Sequence, residues 1–190
     1  IDDPRRPESY LTLVHATRTS DDKTFVFKPD EPLGSASEDV SYTVTLATNI
    51  KKKNGDGAFG SFGAYEWRFE VGTFIDSTPP RIESVLPPDT STQPRNVVVQ
   101  MTFNEAMDPT TVTGTTVKGF NNIIVATRDG KPVQGTFTIA NQYRTVEFVT
   151  NDLCGRNSCG GDVFCLPGDK DVLVTIKAPT LKDPGKSAEA

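Results

Sequence analysis

The sequence predicts an all-β chain built from two-sheet sandwiches in tandem, and three observations carry that reading. Apolar and polar residues alternate in short runs along most of the 190 residues, with β-branched and aromatic side chains at the apolar positions. That period of two marks half-buried strands. Fourteen Pro and fifteen Gly are spread between these runs, which fits short strands joined by turns and not a helical bundle. The third observation is a repeat. Thr24-Phe25-Val26-Phe27, a polar loop and Tyr42-Thr43-Val44-Thr45-Leu46 return as Thr145-Val146-Glu147-Phe148, a longer loop and Val172-Leu173-Val174-Thr175-Ile176. The offsets are about 121 and about 130 residues, so the second copy carries an insertion of about nine.

In chain order, strands are expected at Thr24–Phe27, Tyr42–Leu46, Glu66–Val71, Val97–Phe103, Thr136–Ile139, Thr145–Phe148 and Val172–Ile176. Leu11-Thr12-Leu13-Val14-His15 reads as a further strand on which His15, alternating with apolar residues, faces solvent. Met107–Val112 holds at most one helical turn, with Asp108 as its cap and Pro109 at its first position. Arg128-Asp129-Gly130-Lys131 is the clearest hairpin signal, because Asp-Gly tolerates the positive φ angles of a tight turn. With no helices to cover a sheet, each sheet is expected to bury its apolar face on another.

The domain boundary is placed at the adjacent prolines of Ile75-Asp76-Ser77-Thr78-Pro79-Pro80, which cannot join a central strand and stiffen the joint. Residues 1–75 then form the C-terminal half of one module, 76–80 a linker and 81–190 most of a second module. The insertion, at 151–168, holds all three cysteines. The second copy stops short of a counterpart of Trp67-Arg68-Phe69, its expected last strand, which leaves an open edge beside Val172–Lys177 for strand addition. A first residue of Ile and no signal peptide at Ile1-Asp2-Asp3-Pro4 fit a mature product or a segment of a longer protein, and the repeat favours the second.

These residues resemble the bacterial immunoglobulin-like domains first recognised in S-layer proteins of the SbsA type. Pro80-Arg81-Ile82-Glu83-Ser84-Val85-Leu86-Pro87, Met101-Thr102-Phe103-Asn104-Glu105-Ala106-Met107-Asp108-Pro109 and Thr111-Val112 are similar to the first half of such a module. Phe25-Val26-Phe27-Lys28-Pro29, Tyr42–Leu46 and Trp67-Arg68-Phe69 are similar to the second half. The resemblance implies an immunoglobulin-like sandwich and a place in large cell-surface proteins, where such modules act as spacers, adhesive units, lattice blocks or enzyme appendages. The cysteine insertion departs from the family pattern, so no role for it is borrowed.

Composition excludes several functions. A net charge of −5 and a pI near 4.9 give no footprint for nucleic acid. Lys51-Lys52-Lys53, beside Asn54-Gly55-Asp56-Gly57, reads as a solvated loop. No stretch approaches the roughly 18 apolar residues of a membrane span. One histidine supports no catalytic relay, and there is no GxSxG, HExxH or phosphate loop, so the chain is expected not to be an enzyme.

Three sets of residues remain as candidates. Cys154, Cys159 and Cys165 predict one disulfide, either Cys154 with Cys165 at the base of the insertion or Cys159 with Cys165 in a smaller ring. The third cysteine then stays free or cross-links, and zinc is disfavoured because the only His, His15, lies in the other module. Asp76, Glu105 and Asp108 offer hard oxygens for a weak Ca²⁺ site at the joint, against the simpler reading of capping and solvated carboxylates; no other cofactor is expected. Phe59, Phe62 and Tyr65, in a Gly-rich loop before Trp67, are a candidate sugar-binding surface or a plain hairpin tip.

The expected function is a structural or adhesive module of a large extracellular or cell-surface repeat protein. Its partners are then neighbouring modules or copies of the same protein, or a surface glycan or protein ligand. The alternative is a carbohydrate- or ligand-binding accessory module of a secreted enzyme.

Overall fold

The structure is a computed structural model that describes residues 13–18, 23–29 and 32–177, with the backbone alone for 13–18. Among the described residues it is an all-β fold with one α-helical turn. The strands are β1 (Leu13–Arg18), β2 (Phe25–Pro29), β3 (Val40–Leu46), β4 (Tyr65–Val71), β5 (Ile82–Leu86) and β6 (Val99–Phe103). The helical turn α1 (Pro109–Val112) follows, then β7 (Gly114–Thr115), β8 (Ile123–Thr127), β9 (Gly135–Ala140) and β10 (Thr145–Thr150). Last come β11 (Leu153–Arg156), β12 (Asp162–Phe164) and β13 (Val172–Ile176). His15 falls in β1, but the direction of its side chain lies outside the described residues.

Two compact units divide the chain between Thr78 and Pro79, with Arg18–Val26 grouped with the second. In the first unit β3 and β4 pair antiparallel, Val40 with Val71, Tyr42 with Phe69, Val44 with Trp67 and Leu46 with Tyr65. Alternation therefore puts eight apolar or aromatic side chains on one face and Ser41, Thr43, Thr45, Glu66, Arg68 and Glu70 on the other. Val40 and Tyr42 are buried at one end of the apolar face. The Tyr42 hydroxyl accepts a hydrogen bond from the Gly34 N–H at 2.8 Å, and Tyr42 stacks on Phe69 with centroids 5.6 Å apart. Gly34 has φ +92°, and a Cβ there would meet Val71 Cγ1 at 2.8 Å, so glycine is required at this bend.

In the second unit one sheet runs β5-β6-β10-β9-β7 and the other holds β8 and β13. A seven-stranded immunoglobulin-like sandwich puts its first, second, fifth and fourth strands in one sheet and its third, sixth and seventh in the other. β5, β6, β10 and β9 occupy the first set in that order, and β8 and β13 are the third and sixth strands. The short β7 extends the first sheet past β9.

The core between the sheets follows from the alternation. Val99, Met101 and Phe103 on β6, Phe137 on β9 and Val146 and Phe148 on β10 point inward, against Ile123 and Val125 on β8. Phe137 touches Phe148 and Phe120 at centroid distances of 4.8 and 5.0 Å. A Cβ at Gly135 would lie 2.3 Å from the Phe148 ring, so β9 begins on the one residue that allows this approach. Outward positions are polar: Gln100 Nε2 donates to Glu147 Oε1 at 2.7 Å, and Thr102 bonds Thr145 at 3.2 Å, both across paired strands. At α1, the Asp108 carboxylate accepts from the Thr110 N–H at 2.9 Å and Pro109 opens the turn, as the sequence predicts.

Candidate functional site

The cysteine insertion folds into an antiparallel hairpin. Leu153 pairs with Phe164, Gly155 with Val163 and Arg156 with Asp162, with a bulge between Leu153 and Gly155. Asn157 closes the tip: its Oδ1 accepts the N–H groups of Cys159 at 3.0 Å and Gly161 at 2.8 Å. Gly160 takes φ +81° in the same turn. Arg156 and Asp162 form an ion pair at 3.3 Å below it, exposed enough to add little stability.

Of the two pairings open to sequence, the structure joins Cys154 to Cys165, with Cα atoms 5.7 Å apart. Cys165 and Leu166 are buried, whereas the hairpin strands are exposed except for half-buried Val163. Cys165 donates its N–H to the Asp152 carbonyl at 2.8 Å. Leu166 exchanges with Arg95, giving its N–H to the Arg95 carbonyl at 2.7 Å and receiving Arg95 Nε on its own carbonyl at 2.9 Å. The disulfide therefore ties an exposed hairpin to a residue anchored in the core. Cys159 is a free, exposed thiol at the tip.

The aromatic candidates separate. Phe59 and Tyr65 stack with centroids 6.2 Å apart and planes at 21°, and Trp67 continues the row 5.9 Å from Tyr65. Phe62, at the end of the 3-10 turn Gly60–Phe62, is 92 % exposed and makes no ring contact among the described residues. Sequence reasoning assigned Trp67 only to a strand and left it out of this set. The signal was there, since Tyr65 and Trp67 are two apart on one strand and share a face. Tyr65 and Trp67 lie on the sheet face that buries Val40 and Tyr42, but both are themselves exposed.

The carboxylate candidates have local duties. Asp76 accepts the Thr78 N–H at 2.9 Å, and that bond holds its carboxyl below the usual carboxylate range. Asp108 caps α1. Glu105 has one buried carboxylate oxygen without a hydrogen-bond partner among the described residues. Asp76 belongs to the first unit and the other two to the second. No group of three or more His, Cys, Asp or Glu that could hold a metal ion occurs among the described residues.

The Asp-Gly turn closes one side of β8. Gly130, at φ +82°, donates to the Thr127 carbonyl at 2.8 Å, and Thr127 donates to the Lys131 carbonyl at 2.9 Å. The hydroxyl of buried Thr127 donates to Asp129, which lowers the Asp129 pKa, helped by Lys170 and Lys131. The Val133 N–H bonds the Val125 carbonyl at 2.8 Å, so the returning chain covers this edge.

Among the described residues no helix is long and apolar enough to cross a membrane. No curated protein and no solved structure matches the chain. The family model of the bacterial Ig-like domain matches residues 76–157, from the linker through β10 to the tip of the cysteine hairpin.

Proposed function

We propose that this chain is a structural or adhesive section of a large bacterial extracellular or cell-surface protein, in which sandwich modules follow one another along the polypeptide. The observation that carries the reading is the bacterial Ig-like match over residues 76–157, which falls on a sandwich with the immunoglobulin strand order. The disulfide supports an oxidising, extracytoplasmic location, because such bonds persist there and are rare in the reducing cytosol.

Two features favour reading the first unit as the C-terminal half of another such module. Its β3–β4 pair has the sequence counterpart of β13 as one member. Tyr42 bonds back to the chain eight residues upstream, in the manner of the tyrosine corner that opens the sixth strand of many sandwiches. Small-angle scattering of the intact parent polypeptide tests the proposal. An elongated particle is expected, and a compact globule would overturn it.

The carbohydrate-binding reading rests on the row Phe59, Tyr65 and Trp67. Tyr65 and Trp67 are exposed, as a stacking platform for a sugar requires, although the row shares its sheet face with buried Val40 and Tyr42. A glycan array comparing the chain with Tyr65→Ala and Trp67→Ala separates the two readings. Binding lost in both variants would establish the sugar site.

A further inference from the structure

The outward face of the β8–β13 pair is built unlike the outer face of β3–β4. On β3–β4 the outward row of β4 is Glu66, Arg68 and Glu70, as suits a face turned to water. On β8–β13 the buried positions are Ile123, Val125 and Thr127, so the register sets Ile124 beside Thr175 and Ala126 beside Leu173 on the outer side. The ladder runs one residue further at each end. The Arg128 N–H donates to the Asp171 carbonyl and the Lys177 N–H to the Asn122 carbonyl, both at 2.9 Å. By the same parity Arg128 with Asp171 closes one end of the face, and Asn122 with Lys177 the other.

An apolar centre between polar ends is the anatomy of a contact surface. Ile123-Ile124-Val125-Ala126 is apolar at every position, the pattern of a strand covered on both sides. The five-stranded sheet covers only the inner side. At the centre of the outer side Leu173 is 53 % exposed. A seventh strand of the sandwich would lie beside β13 and not over this face, so the exposure does not depend on whether that place is filled.

The face is complementary to itself. A two-fold axis in the plane of contact, crossing the strands over the Val125–Val174 pair, lays β8 on β8 and β13 on β13 of a second copy. Positions equally far from that pair then meet. Ile124 meets Ala126 and Leu173 meets Thr175, a large side chain on a small one each time. At both ends Arg128 meets Asn122 and Asp171 meets Lys177. Lys177 makes no ion pair among the described residues, and Asp171, 3.2 Å from Arg128, keeps a largely exposed side chain. A second copy is therefore the occupant that answers every position of the face at once.

We propose that the outer face of β8–β13 is a self-association surface, on which two copies of the chain pack sheet to sheet about this axis. Two strands offer far less than the roughly 800 Å² per partner of a standard interface, so a single pair of modules associates weakly. Modules in series along a parent polypeptide add such contacts and turn a weak pairing into lateral cohesion between chains. That use rests on the structural reading above, whereas the pairing itself does not.

The test is sedimentation equilibrium of the full chain carrying Cys159→Ser, which removes thiol-linked dimers. A reversible monomer–dimer equilibrium in the submillimolar range is expected. Leu173→Glu puts a carboxylate in the apolar centre and should weaken association about tenfold or more. Asp171→Lys brings like charges together and should weaken it too, while Asp171→Lys combined with Lys177→Asp should recover most of the loss. A chain that stays monomeric up to millimolar concentration would overturn the proposal, as would a dimer indifferent to Leu173→Glu or a charge exchange that fails to rescue. Dimerisation that begins only when residues 178–190 are deleted would show the chain's own end covering the face, which overturns it equally. If Leu173→Glu fails to fold, the charge exchange decides. A monomer here leaves the scattering test of the parent polypeptide unaffected, so the two readings fail separately.

Discussion

β3 and β13 are counterparts in the sequence repeat, yet they keep different company. β3 is paired by β4, an aromatic strand that follows it across a loop, and its residue Tyr42 is wholly buried. β13 is paired by β8, which lies far earlier in the chain, and its residue Val174 stands half open. The difference teaches that a period-two pattern specifies a strand and its inward face, but not which strand will lie beside it.

The five-stranded sheet opposite β13 sets the upper limit of what closure is worth. Phe137 is fully buried between Phe120 and Phe148. Phe137→Ala should cost about 4 kcal/mol in the second unit, the transfer of the ring plus the cavity it leaves. Chemical denaturation followed by far-UV circular dichroism measures this. The single Trp67 lies in the first unit, so its fluorescence transition should stay in place. A shift of both transitions together would show that the units unfold as one.

Next in size is the disulfide. Replacing Cys154 and Cys165 by Ala opens a ring with a sequence separation of 11, and should cost about 2–3 kcal/mol by the loop-entropy relation. Calorimetry with and without reductant gives the same number by a second route. If the hairpin is held chiefly by the hydrogen bonds of Arg95 with Leu166 and of Cys165 with Asp152, the loss will fall well below that figure.

A smaller effect is expected on the paired side of the comparison. Tyr42→Phe keeps the ring stack on Phe69 but removes the hydroxyl that accepts from the Gly34 N–H, at a cost of about 1 kcal/mol. Trp67 fluorescence reads it directly. A neutral substitution would show that the hydroxyl is dispensable at this bend.

Much of this architecture was legible in sequence because its strands are half-buried. β6, with Val99, Met101 and Phe103 inward and Gln100 and Thr102 outward, shows plain alternation, as do β9 and β10. Asp108-Pro109 announced α1 and Asp129-Gly130 its turn, since both rest on local bonds that a tetrapeptide encodes. β8 was hidden because Ile123-Ile124-Val125-Ala126 is apolar at every position, with no polar face to reveal the period. β5 was hidden for another reason, since the bulge between Ile82 and Ser84 shifts its parity midway. The disulfide partner could not be read either. The choice between Cys154 and Cys159 depends on which hairpin residue comes to lie beside the buried Cys165, a tertiary fact. Trp67 was visible as a strand residue, but its place beside Tyr65 appeared only once their shared face was set against Phe59.

The smallest predicted effect is the most informative about β13. Val125 and Val174 are the same residue, paired across the same two strands and facing the same core, and they differ only in what lies on the far side. Val125→Ala should cost about 2 kcal/mol, because methyl groups wholly removed from water are deleted and the sheet cannot collapse around them. Val174→Ala should cost less than about 1 kcal/mol, since part of its side chain is already in water and relaxation there is easy. Both are measured by denaturation of the second unit. Equal costs would show that the exposure of Val174 does not lighten its truncation.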